Sequence, residues 1–267
     1  MSAASQLEEL VESLLYEGYA LYPYTPGATK NATPTPFGIV YPPAYAAVNP
    51  AAFDHLRLEC ALEAGEDARV QATVRFLSAG TGETRATERR LVATREGSSF
   101  SFEGLEGRVR LRVDPHAEGL VRVRVCVHNT TALEEPEVGR GDALKASLIS
   151  THVIVSAPGC RFVSPLETPE LSSVNTFPVL ATPDDDTVLG ATIMLPDHPQ
   201  LAPESRGNLF DGTEIEEALL LHVHALSDGE REAIEHADPA VRAMVERAAA
   251  ATPAEMLRLH GRLEMKD

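Results

Sequence analysis

The stretch from Leu195 to Glu217 holds the densest set of side chains suited to chemistry. Its carboxylates and its imidazole are groups that bind divalent cations and that also serve as general acids and bases. These candidate ligands are Asp197, His198, Glu204, Asp211 and Glu214. Their spacing matches no established ligand pattern. A metal-binding protein or a metal-dependent enzyme using residues 197–214 is therefore the alternative interpretation, and no cofactor other than such a divalent metal is predicted.

A structural junction is a second interpretation of the same stretch. Asp211 and Gly212 favour a tight turn, and Thr213 and Glu216 have the spacing of a capping box at the start of a helix. A binding surface for another protein is a third interpretation, because polar loops on a rigid scaffold often carry function. Its candidate residues are Glu204, Arg206, Phe210 and Asp211.

His222 and His224 have a spacing that suits a shared metal only on a strand. The capping box before them predicts a helix, in which residues two apart point about 200° away from each other. A metal shared by the two is therefore not expected. The sequence also has no phosphate loop, no dinucleotide-binding glycine fingerprint, no HExxH motif and no GxSxG motif, so those four classes of catalytic site are set aside.

The C-terminal segment, residues 196–267, is predicted to be a junction loop followed by about four short helices. Capping signals precede each one, with threonine, serine or aspartate at the N-cap and glutamate or proline shortly after it. The expected helices lie near 214–225, 228–236, 239–250 and 253–260.

The middle segment, residues 51–195, is predicted to be a β-rich body. Apolar and polar residues alternate over 56–63, 70–76, 109–113 and 121–127, which is typical of antiparallel strands with one face in water. Later strands are expected over 146–155 and 188–195. The predicted fold class is α+β, with an antiparallel β-sandwich-like body between a short N-terminal helix and the helical C-terminal segment.

The N-terminal segment, residues 1–50, is predicted to hold one helix, Gln6–Glu17, with Ser5 as its N-cap and Glu8 completing a capping box. The high density of proline in Tyr19–Pro50 predicts an extended segment that wraps around the body. Tyrosines in such a segment pack against the body or against a partner. The residues expected to do so are Tyr19, Tyr22 and Tyr24.

Composition limits the classes of partner. The net charge is −17, from 40 acidic and 23 basic residues, so binding to nucleic acid or to a membrane surface is not expected. No signal peptide and no apolar run of about 18 residues is found, which predicts a cytoplasmic protein. The cysteines form no CxxC pair, and all three are expected to be buried structural thiols: Cys60, Cys126 and Cys160.

Three strings of sequence resemble an uncharacterised bacterial family whose genes often lie in nickel–iron hydrogenase gene clusters. They are LYEGYALYPY (15–24), FGIVYP (37–42) and APESRGNLFDGTEI (202–215). Relatives often continue into a small β-rich C-terminal module, whereas this sequence ends at Asp267. The resemblance implies a non-catalytic accessory or scaffold protein for assembly, maturation or electron-transfer support. The implied partner is a nickel–iron hydrogenase subunit or a maturation factor.

Overall fold

The structure, a computed structural model, describes residues 3–21, 38–64, 68–79 and 86–200 together with Glu246. Within this part of the chain there are three helices and ten strands. The helices are α1 (Ala3–Leu21), α2 (Pro43–Val48) and α3 (Arg140–Lys145). The strands are β1 (His55–Glu63), β2 (Gln71–Ala79), β3 (Ala86–Ala93), β4 (Ser98–Phe102), β5 (Leu105–Ala117), β6 (Leu120–Asn129), β7 (Ile149–Ser156), β8 (Arg161–Phe162), β9 (Phe177–Leu180) and β10 (Thr187–Ala191).

The strands form two five-stranded sheets in which every strand pair is antiparallel. The first sheet has the order β4-β5-β6-β1-β8, and the second has the order β3-β2-β7-β10-β9. The two later strands, β7 and β10, are shorter than the ranges 146–155 and 188–195 that the sequence predicts. The prediction of a β-rich antiparallel body is confirmed, and the predicted C-terminal helices lie outside the described residues.

The main hydrophobic core lies between the two sheets, because strands of both contribute side chains to it. In β6 every second residue points inward, so four valines are at most 3% exposed: Val121, Val123, Val125 and Val127. They pack with Leu58 of β1, Val74 of β2 and Val153 of β7. This period of two leaves the alternate residues of the first sheet facing outward.

Helix α1 covers the outer face of the second sheet. Its buried stripe, which includes Leu10 and Leu14, packs against Leu77 of β2, Ile149 of β7 and Leu189 of β10. The helix differs from the predicted Gln6–Glu17, since it begins at Ala3 and continues past Gly18 to Leu21. A glycine within a helix costs only about 1 kcal/mol relative to alanine, and Gly18 does not end the helix.

The predicted capping box of α1 is wrong, because Ser5 and Glu8 lie inside the helix. Glu8 instead reaches the neighbouring sheet, where Arg75 Nη1 donates to its Oε2 at 2.9 Å and Arg90 Nη2 donates to its Oε1 at 2.5 Å. Two guanidinium groups stabilise the carboxylate of Glu8 more than one backbone amide would. The pair therefore anchors α1 to β2 and β3.

The tyrosine- and proline-rich segment is only partly extended. Pro43–Val48 forms α2, since a proline is tolerated in the first turn of a helix, where its missing N–H would have no partner. Tyr41 and Tyr45 are buried, and their rings stack with centroids 5.0 Å apart. Tyr19, Tyr22 and Tyr24 are predicted to pack against the body or a partner, and their side chains lie outside the part of the chain that the structure describes. No helix in the described ranges is long and apolar enough to cross a membrane.

Candidate functional site

The two sheets have very different outer faces. Helix α1 covers the second sheet, whereas the outward-facing positions of β1, β5 and β6 in the first sheet carry six of the chain's 23 basic residues. We call this surface the arginine face, and it consists of Arg57, Arg108, Arg110, Arg112, Arg122 and Arg124. A basic cluster of this kind contrasts with the net charge of −17 of the whole chain.

The alternation of residues along three neighbouring strands places these arginines together. In β5 and β6 the odd-numbered residues fill the core, so the even-numbered arginines point outward. The register sets Arg112 directly opposite Arg124, and Cys126 lies between Arg110 and Arg57. Like charges directly opposite each other destabilise a sheet. Fold stability alone therefore does not account for this arrangement.

One acidic side chain fixes part of the arginine face. Glu59 in β1 is only 6% exposed, and its Oε1 accepts a hydrogen bond of 2.6 Å from Arg124 Nε. Arg57 Nε lies 3.7 Å from the same oxygen, and Arg57 also donates to the carbonyl oxygen and hydroxyl of Ser172. Charge-assisted hydrogen bonds hold long side chains in one geometry, so Arg57 and Arg124 are preorganised.

The three arginines of β5 are in a different situation. Arg108, Arg110 and Arg112 are exposed, and none makes an ion pair with another residue of the described ranges. Arg122 lies 3.9 Å from Asp114 at one end of the face, a distance that gives only a weak surface ion pair. The positive charge of β5 is therefore available to a negatively charged ligand.

A groove of about 620 Å³ runs over the arginine face between β4 and β6. Its lining is mostly polar and cationic, and it includes one acidic residue, Glu96. The lining residues are Arg57, Glu96, Gly97, Ser98, Ser99, Arg108, Val109, Arg110, Arg112, Arg124, Cys126 and His128. The arginine side chains and the serine hydroxyls of the neighbouring strand β4 supply hydrogen-bond donors for carboxylate or phosphate oxygens.

The histidine of the groove is neutral at pH 7. Burial lowers the pKa of His128 below its ordinary value, and the positive charge of Arg108 on the neighbouring strand lowers it further. The ring of His128 stacks on that of His55, with centroids 5.6 Å apart. His55 Nδ1 in turn lies 2.7 Å from Asp54 Oδ1. His128 thus forms one wall of the groove without adding to its charge.

The thiol of Cys126 lies on the arginine face and is not activated. Burial raises its pKa more than Arg124 and Arg57 lower it, so the thiol stays protonated at pH 7 and is a poor nucleophile. The prediction that all three cysteines are buried is confirmed for Cys60 and wrong for Cys126 and Cys160, which are partly exposed. Cys126 is partly exposed because it occupies an outward-facing position of β6.

Two of the candidate metal ligands from the sequence lie in the described part of the chain, and both are engaged in other contacts. Asp197 accepts hydrogen bonds from the Leu180 amide at 2.8 Å and from the Ser164 hydroxyl at 2.6 Å. His198 Nε2 lies 2.8 Å from Asp185 Oδ1, and this hydrogen bond lowers the pKa of Asp185. These contacts tie the loop after β10 to the second sheet.

The other candidates from the sequence lie outside the described residues: Glu204, Arg206, Phe210, Asp211 and Glu214. In the described ranges no group of three or more histidine, cysteine, aspartate or glutamate side chains is placed to hold a metal ion. The sequence analysis did not predict the arginine face as a site, although the sequence contains a pattern that indicates it. Arginine occupies every polar position of Val109–Val113 and of Val121–Val125.

Comparison with known proteins gives no family to which the chain can be assigned. No protein-family model matches it, and no curated protein matches it.

Proposed function

We propose that this protein is a non-catalytic accessory protein that binds a partner protein through the arginine face. The observation that supports this most is the difference between the two outer faces. One is covered by α1, and the other presents the exposed cations of Arg108, Arg110 and Arg112 around an open groove. A surface of this kind, with no activated nucleophile in its lining, suits binding better than catalysis.

Arginine suits protein recognition for physical reasons. Its planar guanidinium presents donors in a fork that matches a carboxylate, and it holds its charge at every physiological pH. Arginine is also enriched at protein–protein interfaces and among the residues that dominate their energies. Glu59 and Ser172 fix Arg57 and Arg124 before binding, which lowers the entropy cost of ordering them in a complex.

Nucleic acid is the less favourable partner for this groove. Proteins that bind single strands stack bases on aromatic rings, and the groove lining contains no phenylalanine, tyrosine or tryptophan. The net charge of −17 also repels a long phosphate backbone. A protein partner with a local acidic patch can bind the arginine face with little negative charge near the rest of this acidic chain, so it is repelled less than a long phosphate backbone.

The identity of the partner in this proposal comes from the sequence resemblance. The strings at 15–24, 37–42 and 202–215 resemble a family encoded near nickel–iron hydrogenases. The partner we propose is therefore a hydrogenase subunit or maturation factor, and the role is assembly, maturation or electron-transfer support.

Affinity capture from the native host tests this function. The chain is expressed there in wild-type form, as the triple variant R108Q/R110Q/R112Q and as R69Q. Arg69 is an exposed arginine outside the groove lining, so R69Q controls for the loss of one of the three positive charges that the triple variant removes. We expect the wild type and R69Q to capture a hydrogenase subunit or maturation factor and the triple variant to lose it. Capture of no such component contradicts the accessory role, and equal capture by the triple variant contradicts docking on the arginine face.

A further inference from the structure

The arginines of β5 form a row with a regular repeat. Arg108, Arg110 and Arg112 are alternate residues of one strand, so their Cα atoms are about 6.8 Å apart along the sheet. All three are exposed, and all three line the same groove. A row of cations at this interval matches ligands that repeat a negative charge at the same interval.

An extended peptide has this repeat. In an extended chain alternate side chains point to the same side, and they too are about 6.8 Å apart. Three acidic residues separated by single residues therefore face Arg108, Arg110 and Arg112 together. Such a segment spans only about five residues, since the row from Arg108 to Arg112 is about 14 Å long.

The arginines of the neighbouring strands β6 and β1 contribute less positive charge to the groove than those of β5. Arg124 lies across from Arg112 and Arg57 lies two strands from β5, and both line the groove. Glu59 already neutralises part of their charge. The excess positive charge is therefore concentrated on β5, so the peptide is expected to lie along that strand.

We infer that the arginine face binds an extended acidic segment of the partner protein, in which carboxylates at alternate positions pair with Arg108, Arg110 and Arg112. This inference rests on the proposed function and adds the chemistry of the partner to it. A contiguous acidic run is a poorer ligand, because in an extended chain its middle carboxylate points away from the sheet. A phosphate backbone has a comparable repeat, but the groove lining has no phenylalanine, tyrosine or tryptophan on which its bases could stack.

Fluorescence anisotropy with two labelled peptides of identical composition tests the inference on the full chain. In one peptide three glutamates alternate with serines, and in the other the three glutamates are contiguous. We expect the alternating peptide to bind up to about fivefold more tightly, the upper end of the difference made by one exposed ion pair. Affinity for it should fall as ionic strength rises, since the three β5 arginines are exposed and their ion pairs are screened by salt.

Single substitutions locate the binding. R110Q removes the central cation of the row, and it should weaken binding of the alternating peptide by up to about fivefold. R69Q makes the same change of charge outside the groove and should leave the affinity for both peptides unchanged. Thermal unfolding of both variants checks that each remains folded. A loss of affinity in R69Q equal to that in R110Q would reduce the effect to net charge and overturn the inference.

The outcomes separate this inference from the proposed function. Equal affinity for the two peptides overturns the alternating arrangement, even where the native partner is still captured through the arginine face. Displacement of the alternating peptide by a single-stranded oligonucleotide at lower concentration than by unlabelled peptide overturns a carboxylate ligand in favour of a phosphate backbone. Weak displacement by inorganic phosphate and by the oligonucleotide, together with the preference for alternation, supports the inference.

Discussion

Replacement of Glu59 by glutamine tests how the arginine face is built. Glu59 is 6% exposed, and its carboxylate lies 2.6 Å from Arg124 Nε and 3.7 Å from Arg57 Nε. Glutamine keeps an acceptor oxygen and a similar volume but removes the negative charge. A hydrogen bond to a charged group contributes about 1.5–3 kcal/mol, and Arg124 is 23% exposed and partly screened, so the expected loss of unfolding free energy is about 2 kcal/mol.

Urea unfolding at neutral pH measures this loss. E106Q is the matched control, because Glu106 is an exposed residue of β5 that lies outside the groove lining. E106Q should change the unfolding free energy by less than about 0.5 kcal/mol. E59Q should also bind the alternating acidic peptide more tightly, since the groove gains one net positive charge. An unchanged stability in E59Q would refute the reasoning that this carboxylate offsets the repulsion among the arginines.

Three further predictions concern the packing of the two sheets. Burial lowers the pKa of His152 from 6.5 to about 4, so only the unfolded chain takes up this proton as the pH falls from about 6.5 to 4. That uptake should lower the unfolding free energy by about 3 kcal/mol over this range, and H152N should remove this part of the pH dependence in urea unfolding. R75M removes the buried guanidinium that pairs with Glu8 and Glu88, and it should cost about 2 kcal/mol and speed amide exchange in α1. Gly107→Ala adds a methyl group that meets the Phe100 ring, and it should lower stability by about 1–3 kcal/mol in thermal unfolding.

The strands of the body could be predicted because their period is local. The alternation in 56–63 and in 121–127 predicts strands, and the structure places β1 and β6 there. In β6 the alternation also reports which side is buried, whereas Leu58–Leu62 of β1 are buried on both sides. Helix α1 was predicted with shorter bounds, because Gly18 was expected to end it, whereas a glycine within a helix costs only about 1 kcal/mol. Capping rules failed at Glu8 because its ion-pair partners, Arg75 and Arg90, are more than sixty residues away in sequence.

The arginine face could be predicted only in part. The sequence identifies Arg110 and Arg112 as residues of the solvent-facing side of a strand, but it does not say which strand lies beside them. The neighbours of β5 depend on its register with β6 and on the register of β6 with β1. The second register places Glu59 opposite Arg124, which is 65 residues away in sequence. Long-range pairing of this kind is set by the packing of the whole core.

Arginine-specific chemical footprinting of the captured complex tests the central claim most directly. The chain is labelled with an arginine-modifying reagent alone and with its native partner bound, and modification is quantified by mass spectrometry. We predict strong protection of Arg108, Arg110 and Arg112 in the complex and unchanged labelling of Arg69. Equal labelling of the three β5 arginines with and without the partner would contradict the claim that the partner docks on the arginine face.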